Sequence, residues 1–320
     1  MAATSPDTTS GWLTAPHAWL RMFAIGLLLW VASVVVTALT GNTNLIPTIV
    51  LLGSFLVPVT AVVWYMDHYR DQILSPQRVL YAFVVGGVLG VLGASILESW
   101  LLSDGLLVYV GVGLIEEACK LLALVLIAWR LPRYITRDGV VLGAAVGFGF
   151  GALESSGYAF NSLIVPYGHV VVLSLPRLVA TELLRGVLAP VGHGLWTAIL
   201  GGILFRASRN ARHPRITLGV VGAYLLVSLL HAFWDSMRGI ALVLTELLTA
   251  TPQQRIALTS GQLLSPTPAQ ETLFVILQWG GLAVISVIGF LWLRWIWLSV
   301  DADQPQRYPP PESVSPAAPA

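Results

Sequence analysis

The sequence predicts an all-α protein: a polytopic bundle of transmembrane helices with about eight spans. Three observations predict it. Hydrophobic residues make up 56% of the 320 positions and charged residues only 10%, against about 25% charged in a soluble domain. The apolar residues fall into runs of about 20, the length that crosses a bilayer. The arginines gather in alternate connections between those runs, the bias that orients membrane proteins.

The elements follow in order. Residues 1–19 form a polar N-terminal tail without a basic stretch before the first apolar run. That run, 20–39, exceeds the roughly 7–15 residues of a signal-peptide core and reads as a retained helix. The turn-like Gly41-Asn42-Thr43-Asn44 separates it from a second span at 45–66. The third covers 79–100, the fourth 106–129 and the fifth 139–160. Residues 161–186 hold Pro166, Pro176, Arg177, Glu182 and Arg185 and read as a loop followed by a partly amphipathic helix. The sixth span is 187–205 and the seventh 216–235. Residues 236–272 contain an apolar piece, Ile240 to Leu248, that reads as interfacial or re-entrant. The eighth span is 273–298, closed by Trp292, Trp295 and Trp297 around Arg294 as an interfacial belt. Residues 300–320 read as a disordered tail, which leaves 20–299 as the membrane domain.

Arg70 and Arg78, then Arg130, Arg133 and Arg137, then Arg206, Arg209, Arg212 and Arg215 occupy alternate connections. Both termini then lie on the cytoplasmic side, in agreement with an even number of spans. A net charge of +1 argues against nucleic acid as a partner. The single cysteine, Cys119, excludes an internal disulfide and reads as a small buried hydrophobe. Small residues at four-residue spacing, Gly86, Gly90 and Ala94 in the third span and Gly143, Gly147 and Gly151 in the fifth, mark helices that approach closely.

Against this apolar background some polar residues stand out. The fourth span carries Glu116, Glu117 and Lys120, the only lysine of the chain, near its middle. An ionised group there costs about 2.5–3.5 kcal/mol on insertion scales, so three within five residues are not accidental. Lys120 is one helical turn from either glutamate and can neutralise only one of them. The fifth span carries Glu154, the sixth His193, and the seventh His231 with Asp235 one turn later. A rise of about 1.5 Å per residue puts Glu116 roughly 15 Å and His193 roughly 9 Å below the outer surface. Glu154 and His231 lie roughly 22 Å above the inner one, and Asp235 near the outer rim. A lone intramembrane histidine is as often a hydrogen bond between helices as a ligand. Polar groups at overlapping depths on four helices point to one shared pocket.

The residue types suit hydrolysis. His193 and His231 with a carboxylate, Glu154 or Glu117, form the donor set of a catalytic zinc site. Glu116 or Glu117 suits a general base poised by Lys120, and Asp235 suits a partner that orients His231. A metal-free reading, in which a glutamate activates water and the histidines bind the oxyanion, is equally physical. Buried Glu, His and Asp also build proton relays, so a proton-coupled transporter is the alternative from another class, although no internal repeat supports it.

EExxK (Glu116, Glu117, Lys120), FxxxE (Phe150, Glu154) and HxxxD (His231, Asp235), in that order on successive apolar segments, resemble the PrsW family of intramembrane metalloproteases. That family is related to the prenyl-protease and bacteriocin-processing group and, more distantly, to the scaffold subunit of gamma-secretase. The resemblance covers about residues 80–240. It implies an intramembrane protease, zinc-dependent chemistry in the family sense, a single-span membrane protein as substrate, and regulated proteolysis of an anti-sigma factor-like protein in a bacterial plasma membrane. A non-catalytic scaffold of the gamma-secretase kind is the third reading.

Overall fold

A computed structural model of the chain describes residues 17–68, 74–105, 107–168, 170–262 and 264–299. The expected N-terminal tail lies outside the described residues up to position 16, as do Arg70 and the expected C-terminal tail. Helix α1, Ala18–Thr40, ends where Gly41 takes a left-handed conformation (φ 67°) and returns its N–H to Thr37 O. A short 3-10 turn, Thr43–Leu45, folds the chain back into α2, Ile46–His68. Helix α3, Pro76–Tyr81, passes through a π-helical turn, Ala82–Gly86, into α4, Gly87–Leu101. Helix α5 is Val108–Ala128 and α6 is Thr136–Leu163.

The segment expected as a loop contains a hairpin of two antiparallel strands, β1 (Ile164–Tyr167) and β2 (Val170–Leu173), with Pro166 opposite Val171. Helix α7, Leu175–Leu188, a 3-10 turn, Ala189–Val191, and α8, His193–Ser208, follow. Together Leu175–Ser208 makes one broken span of 34 residues, longer than the sixth span read from the sequence. Pro190 and the unusual backbone of Gly192 (φ −99°, ψ −130°) interrupt the helical ladder, so His193 begins α8. Such a break survives at membrane depth where it is buried or lines a polar cavity.

Helix α9 runs unbroken from Leu218 to Thr249. Ile240 to Leu248 is thus the continuation of the seventh span, not a separate interfacial piece, and Asp235 lies within the helix instead of near its end. Nothing in 236–248 can stop a helix, and Pro252 is the first residue that forces a new start. Helix α10, Pro252–Thr259, and α11, Pro268–Leu298, complete the chain. A reciprocal amide pair, Gln254–Gln270 at 3.0 Å, ties their starts together.

Seven helical segments among the described residues are long and apolar enough to cross a membrane. The expected fourth span, α5, is not among them: it has the length, 21 residues, but carries the charged trio. Gly113, Glu116, Glu117, Lys120, Ala123, Leu124 and Ala128 are its buried residues, a stripe with helical spacing. The outward faces of α1, α4, α9 and α11 expose leucine, isoleucine and valine, as a lipid-facing surface requires.

Helix α6 is the hub. It packs on α8 along Gly139, Gly143 and Gly147, whose absent side chains admit the backbone carbonyls of Gly201, Thr197 and His193. The third-span glycines also meet α6: Gly86 faces Val146, and Gly90 leaves room for the Phe150 ring. Cys119 faces Gly93 of α4. At the arginine-rich end, Arg137 and Arg206 lie over Trp297 and Trp295 of the last helix.

Candidate metal centre

The inner face of α5 presents its three charged side chains to α6, α8 and α9. Glu117 and Lys120 are fully buried and Glu116 nearly so. Lys120 Nζ lies 2.7 Å from Glu117 Oε1 and 3.3 Å from Glu116 Oε2. It is also 2.9 Å from His193 Nδ1 and stands over the Phe150 ring, 4.3 Å from its centroid. The phenylalanine of FxxxE thus walls the lysine in. The glutamate of that motif, Glu154, points one turn further along α6 to His193, whose Nε2 is 2.8 Å from Glu154 Oε2.

His231 comes from α9, which Gly113 lets approach α5 closely: a Cβ there would stand 2.5 Å from Ser228 O. His231 Nδ1 is 2.9 Å from Glu117 Oε1, and its Nε2 is 3.7 Å from Glu116 Oε2 and 3.4 Å from Asp235 Oδ2. The two imidazole rings stand edge to face with centroids 5.1 Å apart.

The hydrogen bonds dictate the tautomers. A carboxylate only accepts, so Glu154 requires the proton on His193 Nε2. An ammonium only donates, so Lys120 requires a lone pair on His193 Nδ1, and the two demands agree. Glu117 accepts from His231 Nδ1, while His231 Nε2 faces Glu116 and Asp235. One nitrogen of each histidine and a Glu116 oxygen lie within 4.8 Å of one another and could hold a metal ion.

This donor set fits a metal. Two imidazoles and one carboxylate are a zinc-type ligand set, and each histidine has its second nitrogen on a carboxylate, the arrangement that steadies metal-bound histidines. Four carboxylates, Glu116, Glu117, Glu154 and Asp235, face two permanent cations, Lys120 and Arg185. A divalent ion would add positive charge to this carboxylate-rich set. Glu117 Oε2 is, moreover, buried without a hydrogen-bond partner.

All seven residues singled out from the sequence, Glu116, Glu117, Lys120, Glu154, His193, His231 and Asp235, meet at this one place. Their pairings differ from the expected ones. Glu154 and Glu117 lie behind the histidines, and Glu116 Oε2 lies 3.7 Å from both His193 Nδ1 and His231 Nε2. The hydrogen bond that orients His231 goes to Glu117, while Asp235 faces the other nitrogen.

One neighbour was not singled out. Arg185 of α7 pairs with Glu154, donates from Nε to Ser155 Oγ at 2.7 Å, and lies over the Tyr158 ring. The Glu182-x-x-Arg185 pair before Pro190 was its only sequence signal. A polar cavity of about 80 Å³ opens among Glu154, Tyr158, Arg185, His193, Trp234 and Asp235. It adjoins, at Phe148 and Gly194, an apolar cavity of about 870 Å³ that reaches α2 and α11.

A sequence model described as the PrsW family intramembrane metalloprotease matches residues 75–256, more than half of the chain and all seven of these positions. No curated protein matches the chain, and no solved structure matches it.

Proposed function

The chain belongs to the PrsW family of intramembrane metalloproteases, and from that premise we propose that it hydrolyses a peptide bond of a single-span membrane protein near the outer leaflet, with zinc held by Glu116, His193 and His231. The observation that carries the reading is the convergence of one nitrogen of each histidine and a Glu116 oxygen within 4.8 Å of one another, with each ring held through its other nitrogen by a carboxylate.

A zinc ion bound there would supply a Lewis acid for the scissile carbonyl. The chain's own residues do the rest. Glu117 and Glu154 accept from His231 Nδ1 and His193 Nε2 and hold both rings in register. Lys120, 2.7 Å from Glu117 Oε1, compensates that buried carboxylate, and its contact with His193 Nδ1 is the one that a bound ion would have to displace. Asp235 is the general base. Glu117 is committed to Lys120 and His231, and Glu116 to the donor trio, whereas the Asp235 side chain is 28% exposed and lines the polar cavity. It takes a proton from the attacking water as the water oxygen bonds to the carbonyl carbon. It returns that proton to the amide nitrogen as the C–N bond breaks. The N-terminus of α8, at His193, favours the negative charge that develops on the carbonyl oxygen.

The apolar cavity beside the polar one suits a substrate that arrives from the lipid. Regulated proteolysis of an anti-sigma factor-like protein in a bacterial plasma membrane, with both termini of the protease cytoplasmic, is the biological setting this reading gives. The test is cleavage of single-span reporter substrates in proteoliposomes by the wild type, His231→Ala and Asp235→Asn. Cleavage that is lost in both variants, lost on chelation and restored by zinc is expected. Full cleavage by metal-stripped protein would remove the metal, and proton flux without cleavage would replace the protease with the transporter.

A further inference from the structure

Helix α7 brings a side chain to the centre that none of the three motifs contains. The Arg185 guanidinium meets consecutive turns of α6: the carboxylate of Glu154, Ser155 Oγ at 2.7 Å, and the face of Tyr158 at 4.3 Å. A planar guanidinium with a fork of donors and a stacking face meets all three at once, which an ammonium cannot do. The carboxylate oxygen that Arg185 grips, Oε2, is the one that accepts from His193 Nε2. Glu154 is partly exposed in the polar cavity, and without the arginine its side chain is free to turn to water and release the imidazole.

The same helix is gripped again one turn earlier. Glu182, one turn before Arg185, is buried and accepts from Trp30 Nε1 of α1 at 2.7 Å. Helix α2 closes over it at Gly53, where an added Cβ would stand 2.3 Å from the carboxylate carbon. Helices α1 and α2 both precede the region that the family model matches.

We propose that Arg185 is a positioning residue of the metal centre, acting through Glu154 on His193, and that α1 and α2 brace it there by gripping α7 at Glu182. The inference rests on the metal-centre reading above and assigns a task to the first two spans. It requires that Arg185 set metal affinity only while Glu154 can transmit its pull.

The experiment titrates cobalt(II), a spectroscopic stand-in for zinc, into full-length protein purified in detergent, with cleavage rate against pH as a second readout. Arg185→Met is expected to weaken cobalt binding about 10–100-fold, the usual effect of losing a supporting hydrogen bond behind a ligand. Arg185→Lys keeps the charge and is expected to recover part of the loss, which also covers the case in which Arg185→Met does not fold. In a Glu154→Gln background, Arg185→Met is expected to add little, because the path is already cut. Trp30→Phe is expected to shift affinity in the same direction by less. Wild-type affinity in Arg185→Met, or an undiminished loss in the Glu154→Gln background, overturns the positioning role and leaves the metal centre standing. Unchanged affinity in Trp30→Phe overturns the brace. Failure of the wild type to bind cobalt at all overturns the metal centre and this inference with it.

Discussion

Replacing Gly147 with alanine tests how the bundle sets the position of its histidines. The new methyl group would lie 2.1 Å from the backbone carbonyl oxygen of His193 and 2.8 Å from Thr197 Oγ1. A real Cβ essentially never comes within 3.0 Å of such an atom, so α6 and α8 must separate locally by about 0.9 Å. The obstacle is backbone, not the tip of a flexible side chain, so no rotamer change absorbs it. Overpacking of this kind costs about 1–3 kcal/mol, small enough for the protein to fold. The shift falls on the residue that carries the candidate ligand, and a misplacement of about 1 Å is worth about 10²-fold in rate. Gly147→Ala is therefore expected to insert and fold, with a melting temperature lowered by about 2–10 °C, while its cleavage in proteoliposomes falls about 10²-fold. Gly157→Ala, on the same helix with open space around it, is the control. It is expected to cleave normally and to gain up to about 1 kcal/mol from helix propensity. Wild-type cleavage by Gly147→Ala would refute the argument that the glycine contact sets the ligand position.

Other substitutions probe separate parts of the structure. Lys120→Met leaves Glu116 and Glu117 buried without their cation, and is expected to cost about 3–5 kcal/mol; a melting temperature equal to the wild type's would contradict it. His193→Ala and His231→Ala should each abolish cobalt binding in detergent, and a variant that still binds with wild-type affinity does not carry a ligand. Thr267→Ala removes the reciprocal cap at the start of α11 and should cost about 1 kcal/mol without touching cleavage. A parallel loss of activity would show that α11 reaches the site.

Several features of this architecture are legible in the residue order. Runs of apolar residues mark the spans. The spacing of Glu116, Glu117 and Lys120 puts them on one face of α5, and the overlap in depth of Glu154, His193 and His231 anticipates their meeting. Which carboxylate serves which histidine is not legible, because helix rotation and rotamers decide it. Glu117 turned out to hold His231, and Glu154 to hold His193. The break at Ala189–Val191 hides in the sequence because a proline between two apolar stretches looks like the edge of a span, not the middle of one. Arg238 and Gly239 disguise the continuity of α9 by interrupting its hydropathy, although neither ends a helix there. Arg185 escaped notice for a related reason: it lies in the amphipathic half of the broken span, where a charge looks like solvent exposure.

The solitary lysine has a practical use. Lys120 is fully enclosed in the folded chain and is the one lysine in 320 residues. An endoprotease specific for lysine therefore has one bond to cut, after position 120, and can reach it only when α5 swings free. Digestion would yield two fragments, residues 1–120 and 121–320, and the rate at which they accumulate would clock the opening of the bundle around α5 without any label.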